Sequence, residues 1–323
     1  MSFQDIFGHE RQIEQLQRSL AQSRIPHAFL FYGLEGVGKR TTAQTFAKAL
    51  NCLANQHDSC DACLSCVKAD HNNHLDIMVL EPEGQFIKIQ AIRNLQARMK
   101  FKPWEGKKRV CIIDNAERMN DVAANALLKI LEEPPAANIM ILISAFPSQL
   151  PATILSRCQQ VRFNPLPEEK VAGFLQRRLS LDVSVSRLLA NSAGGSIARA
   201  LEMHSGSYLE MRKEIFEVAA AGWMHNPLLR LSSLSRFGPT REEVMERLVI
   251  LRTCYRDAMV YRETGAAGAL INQDQEDMIK ALSDRLPLTD MISNIRVIDR
   301  ALRAVEQNAD KTLTLEVMMF KLK

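Results

Sequence analysis

The run Gly33-Leu34-Glu35-Gly36-Val37-Gly38-Lys39 has the glycine spacing and closing lysine of a phosphate-binding loop. Glycines let successive backbone N–H groups turn toward phosphate oxygens, and a helix starting at the lysine presents its positive end to the same anion. Lys39 would reach the outer phosphates. A hydrolysing loop continues with Ser or Thr, whose hydroxyl holds Mg²⁺. Here the next residue is Arg40, and Thr41 comes one place late, turned away by a helical step of roughly 100°. Asp114 closes the apolar run Val110 to Ile113, the place of a carboxylate that holds the metal's water shell. Asn115, which follows it, cannot serve as a base for an attacking water, and Glu117 reads as a surface residue. Gly33, Gly36, Gly38, Lys39, Arg40, Thr41 and Asp114 therefore read as a degenerate ATP site, with ATP and Mg²⁺ bound weakly if at all and not hydrolysed. The bland alternatives are a glycine-rich turn and an aspartate that caps one.

Cys52, Cys60, Cys63 and Cys66 form the pattern C-x7-C-x2-C-x2-C. Thiolates at this spacing can converge on one tetrahedral ion, and four of them leave no open position, so a structural Zn²⁺ is expected. An iron–sulfur site is the rival, although no C-x3-C-P follows. A set of free thiols is the bland alternative. His57, His71 and His74 read as surface residues, Cys111 and Cys254 as small core residues. Lys100 to Arg109 mixes basic and aromatic residues and reads as a polar loop; contact with nucleic acid is the other reading.

These groups need elements to place them. Apolar runs of strand length occur at His27 to Tyr32, Ile77 to Leu80, Val110 to Ile113 and Ile139 to Ile143. Helical spacing occurs at 10–24, from Lys39 to Leu50, from Ile87 to Met99 and from Ala123 to Leu131, where Pro134-Pro135 stops it. Such alternation predicts an α/β domain with a parallel sheet. After Pro165-Leu166-Pro167 only helices are expected. The chain of 323 residues is 46% apolar and 24% charged, which suits two or three soluble compact units. A net charge of +4 does not suggest a DNA-coating protein. No stretch is long and apolar enough to span a membrane, and the N-terminal residues lack the apolar core of a signal peptide. A cytoplasmic protein with reduced thiols is expected.

Several stretches together resemble the subunits of bacterial DNA polymerase III clamp loaders, which are AAA+ proteins. They are Phe3 to Glu10, Pro26 to Phe31 leading into the glycine loop, Asn125 to Pro135 (NALLKILEEPP), Ser156-Arg157-Cys158, and Asn308 followed by Leu313-Thr314-Leu315-Glu316. The resemblance covers nearly the whole chain. It implies an AAA+ phosphate-loop domain at 1–165 carrying the zinc module 52–66, a helical lid at 166–207, and an all-α collar for oligomerisation at 208–323. It implies a hetero-pentamer with tau/gamma and delta subunits that loads the beta sliding clamp on primer-template DNA, as part of a DNA polymerase holoenzyme without being the polymerase. Arg157 would act in trans as an arginine finger on a neighbour's γ-phosphate. The motor subunit of the family has Thr after the lysine and an Asp-Glu pair, and this chain departs from both. The family's Gly-Ser-x-Arg sensor is also displaced: Gly195-Ser196-Ile197 is followed by Ala198, with Arg199 one place late. The implied part is a stator that donates its arginine. The rivals are a tau/gamma-like ATPase, a free-standing AAA+ DNA-dependent ATPase, and a purely structural assembly subunit.

Overall fold

The structure is a computed structural model that describes residues 1–55, 57–220 and 233–323. Gln56, within the zinc module, and residues 221–232, within the expected collar, lie outside the described residues. The chain divides into two compact units: residues 1–174 with 195–198, and residues 175–194 with 199–323.

The first unit is built on five strands: β1 (Ala28–Gly33), β2 (Ile77–Leu80), β3 (Arg109–Ile113), β4 (Asn138–Ser144) and β5 (Gln159–Phe163). Their order is β2-β3-β4-β1-β5, and every pairing is parallel. A parallel sheet is covered on both faces, so its central strands are apolar throughout rather than alternating. β3 and β4 are buried at every position. Alternate residues feed two cores. Phe29, Phe31, Ile112 and Ile141 pack with α1 (Glu10–Ala21) and α2 (Lys39–Asn51). Leu30, Ile113 and Leu142 pack with α4 (Ile89–Met99) and α5 (Asp121–Glu132). The short helix α3 (Leu64–Asp70) follows the cysteines, and α6 (Ala152–Leu155) precedes β5. β5 was not foreseen in the sequence. It is an edge strand, QQVRF, with only Val161 and Phe163 buried, so its apolar signal is too thin.

From Pro165 onward all described regular structure is helical. α7 (Glu168–Leu179), α8 (Val183–Ala193), α9 (Ile197–Ser205) and α10 (Tyr208–Ala220) come first. α11 (Arg241–Thr264), α12 (Glu276–Arg285), α13 (Leu288–Glu306) and α14 (Lys311–Lys321) follow the undescribed stretch. In the second unit α11 is the spine. A Thr240–Glu243 capping box starts it, satisfying orphan N–H groups, and Gly265 in the left-handed region ends it. Leu248, Leu251, Tyr255 and Ala258 of α11, and Met291, Ile298 and Val305 of α13, are buried. None of the described helices is long and apolar enough to cross a membrane.

Candidate nucleotide site, cysteine cluster and arginine loop

The glycine loop leaves the C-terminal end of β1 and enters α2. Gly33 has φ +142°, and a Cβ there would lie 2.0 Å from the Phe163 carbonyl oxygen of the neighbouring strand, so no side chain fits. Gly36 is covered by the segment 195–198: a Cβ on it would come within 2.3 Å of Ser196 Oγ, and Ala198 N–H donates to its carbonyl at 3.1 Å. No side chain caps α2, whose N-cap is Gly38. Its first N–H groups are therefore open to an anion. The buried Lys39 ammonium donates to the Gly33 and Leu34 carbonyls at 2.6 and 2.7 Å. Burial pushes its pKa down, against the pull of Glu117, Glu35 and Asp114. His9 Nε2 donates to the Val37 carbonyl at 2.8 Å, which ties the N-terminal segment to the loop.

The metal half of this site is altered. The Arg40 guanidinium bridges Glu81 and Asp114, at 3.3 Å from Asp114 Oδ2. Asp114 Oδ1 accepts from Asn115 N–H at 3.0 Å. Both carboxylate oxygens are thus engaged, one of them by a cation. Arg40 rather than Thr41 is on Asp114. These residues do not fit Mg²⁺, although the loop retains the means to hold an anion. Glu117 is not the surface residue expected. Its Oε1 accepts from Ala145 N–H at 3.0 Å, and its Oε2 is buried without a hydrogen-bond partner. Its charge opposes the lowering of the Lys39 pKa. Arg199 sits where its charge acts on Tyr208 and Glu246, both of the second unit.

The four cysteines of 52–66 converge. Their sulfur atoms all lie within 4.8 Å of one another, with Cys60 and Cys66 at 4.0 Å. Bonds of about 2.3 Å to a tetrahedral ion imply sulfurs about 3.8 Å apart, so the set could hold a metal ion. Burial pushes the Cys66 thiol up. Burial also opposes ionisation of Cys63, but the Leu53 and Cys66 N–H groups and the Cys66 and Cys60 thiols hold it down at about 6. Lys48 of α2 is buried and ion-paired with Asp61 (2.6 Å) and Asp70 (2.8 Å), which ties the insertion to the sheet's helical layer. His74 is buried and hydrogen-bonded to Ser65 at 3.1 Å, against its reading as a surface residue. Cys111 and Cys254 are core residues as read.

Arg157 follows α6 and is half-buried. Its guanidinium pairs with Glu132 at the end of α5 (2.9 Å) and donates to the Thr153 carbonyl at 2.9 Å. Within this chain it has a local partner, which the motif alone did not indicate. Cys158, next in sequence, is buried. Arg109 belongs to β3 rather than to a solvated loop and is buried against Asp76.

Parallel strands, a glycine loop between β1 and α2, and an aspartate ending β3 define an AAA+-type phosphate-loop fold. Family models described as "DNA polymerase III, delta subunit" and "DNA polymerase III, delta subunit, C terminal" match residues 8–167 and 212–323. The chain belongs to the DNA polymerase III clamp-loader subunits. It is similar to the delta′ subunit of Bacillus subtilis, 35% identical over 211 residues that cover 64% of this chain and 63% of the relative. It is also similar to the tau subunit of B. subtilis, 26% identical over 99% of this chain and 61% of the relative. The chain thus spans roughly three fifths of the length of these two relatives. Among solved structures, a DNA polymerase III gamma subunit-related protein of Thermotoga maritima aligns at 16% identity with a TM-score of 0.41, over 95% of this chain and 97% of the other.

Proposed function

We propose that this chain is a delta-prime-type subunit of a DNA polymerase III clamp loader: a cytoplasmic stator that does not hydrolyse ATP and donates Arg157 to a neighbour's ATP site. One observation carries the reading. Arg40 occupies the carboxylate that would hold the metal, while the Ser156-Arg157-Cys158 motif is intact. The chain keeps the part of the chemistry exerted across an interface and has lost the part exerted on its own nucleotide. Its partners are tau/gamma and delta subunits, joined through a collar at 208–323, with the lid at 166–207 and the nucleotide-type domain at 1–165. Through the ring it acts on the beta sliding clamp and on primer-template DNA. Gly33, Gly36, Gly38, Lys39 and Thr41 hold at most a nucleotide without metal.

The test is assembly. The purified chain alone should turn over no ATP above background, yet should complete a clamp-loading complex with tau/gamma and delta. Turnover by the isolated chain at the rate of a tau/gamma subunit would instead make it a motor. Failure to enter the complex would remove the stator role.

The cysteine cluster is proposed to hold one structural Zn²⁺. Four thiolates fix Asn51 to Asp70 as a unit and offer the ion no open position for chemistry. Metal analysis of the freshly reduced chain should give about one zinc per chain. Chelation should unfold the insertion, because binding and folding of such modules are coupled. Metal far below one equivalent, or an insertion whose amide exchange is unchanged by chelator, would show free thiols.

A further inference from the structure

A second surface lies at the end of the sheet away from the glycine loop. Strands run parallel, so the segment 100–108, which feeds the start of β3, is at the end opposite the loop that leaves β1. This segment exposes two aromatic side chains, Phe101 at 68% and Trp104 at 79%. They are not there for want of order. Asp76, fully buried, accepts the N–H groups of Trp104, Glu105 and Gly106 at 2.9 Å and pairs with Arg109 at 2.8 Å. Arg109 in turn donates to the carbonyls of Arg98, Phe101 and Lys102. A buried ion pair with its full hydrogen-bond complement thus fixes a turn whose aromatic side chains face water. Rigid, exposed aromatics that lose little freedom on contact are what binding surfaces use.

The aromatics border a cavity of about 430 Å³, lined also by Leu75, Met78, Ala97 and Arg98. A second cavity, of about 580 Å³, shares Met78, Ala97 and Arg98 and continues beside β2. β2 is an edge strand that pairs only with β3 among the described residues, so its outer side can accept another strand. Of the charged residues that line the cavities, Lys88 pairs with Glu83 at 3.3 Å and Arg109 with Asp76, which leaves the exposed Arg98; Lys100 and Lys102, also exposed, flank Phe101 in sequence. We propose that this groove docks an extended, acidic segment of a partner protein, with an apolar side chain in the Trp104 cavity and carboxylates on Arg98, Lys100 and Lys102. The charge of the rim selects the sign of the partner, and the aliphatic lining selects a side chain. A polynucleotide fits less well. It needs a track of cations for successive phosphates, and the segment's other lysines are turned to carbonyls, Lys107 to Cys52 and Lys108 to Ala136.

The probes are labelled octapeptides with Leu-Phe, Ile-Leu or Phe-Trp between acidic triplets, a set with lysine triplets, and labelled oligothymidylate, titrated against the 323-residue chain. At least one acidic peptide should bind, with affinity falling as salt rises. Binding should weaken at least about tenfold for Trp104→Ala and for Lys100→Glu with Lys102→Glu. Trp104 is exposed, so its loss should leave the fold intact, which the unfolding midpoint checks. The docking role is overturned if no acidic peptide binds, if lysine peptides bind as well, or if the variants bind unchanged. Oligothymidylate binding that depends on Trp104 while acidic peptides fail would make this a nucleic-acid face.

Discussion

Asp76→Ala should lower the unfolding free energy of the α/β unit by about 3–5 kcal/mol, as expected when one member of a buried ion pair is removed. Arg109 would be left charged and 2% exposed, and three backbone N–H groups would lose their acceptor. Arg109→Lys should not rescue the fork, because one ammonium cannot serve Asp76 and three carbonyls in a plane. Replacing both members, as Asp76→Leu with Arg109→Met, should recover much of the stability, since apolar pairs of similar size often equal buried ion pairs. It should not restore the turn, which depends on the hydrogen bonds. Stability and order of the 100–108 segment therefore separate in the double variant. Urea unfolding reads the first and amide exchange at Trp104 to Gly106 reads the second. Although burial opposes it, the Glu105, Gly106 and Trp104 N–H groups and Arg109 hold the Asp76 carboxyl below its ordinary value. A depressed carboxylate contributes stability that is fully present above the unfolded pKa of about 3.9 and is lost as pH falls through the lower folded value. Wild type should lose this contribution on acidification and Asp76→Ala should not. A single-variant loss under about 1 kcal/mol would mean that the pair merely fills space.

Whatever was set by local pattern was legible from the residues. The strands β1 to β4 each hold an unbroken apolar run, in β3 and β4 because both faces of the sheet are covered there, and the glycine loop is a contiguous motif. The cysteine cluster is also local, since x2 spacing brings sulfurs together without help from the fold. The misses are long-range or polar. β5 carries only two buried apolar side chains, so period alone could not find it. Asp76 and Arg109 are 33 residues apart and look like ordinary surface charges until β2 and β3 pair. Arg40 and Asp114 are 74 apart; the substitution of the hydroxyl was readable, but the guanidinium's seat on Asp114 was not. Glu117 carried one unused signal, an acidic residue four positions after the end of β3, where a 3₁₀ turn at Ala116–Arg118 lets it reach the Ala145 N–H.

Arg157→Ala should leave the fold and the assembly of a reconstituted clamp loader intact and slow its DNA-stimulated ATPase through one site. A trans arginine stabilises charge on the transferring phosphoryl group and contributes on the order of 10³–10⁵ in rate at the site it serves. On the proposed reading the other sites would be served by arginines of other subunits, so the complex should keep part of its turnover. Arg157→Lys should rescue poorly, because charge is kept and the planar fork is lost. The pair with Glu132 makes the test sharper. Glu132 is half exposed, so its ion pair holds the guanidinium weakly and can yield to a phosphate. Glu132→Gln should therefore leave the ATPase unchanged or raise it, since it frees the donor. If Arg157 served only to anchor the end of α5, both variants would act alike, lowering stability by a few tenths of a kcal/mol and leaving ATPase alone. The pattern that abandons the trans role is an unchanged clamp-loading rate with Arg157→Ala at saturating ATP and DNA. The pattern that keeps it is a loss with Arg157→Ala, no loss with Glu132→Gln, and an assembled ring in both.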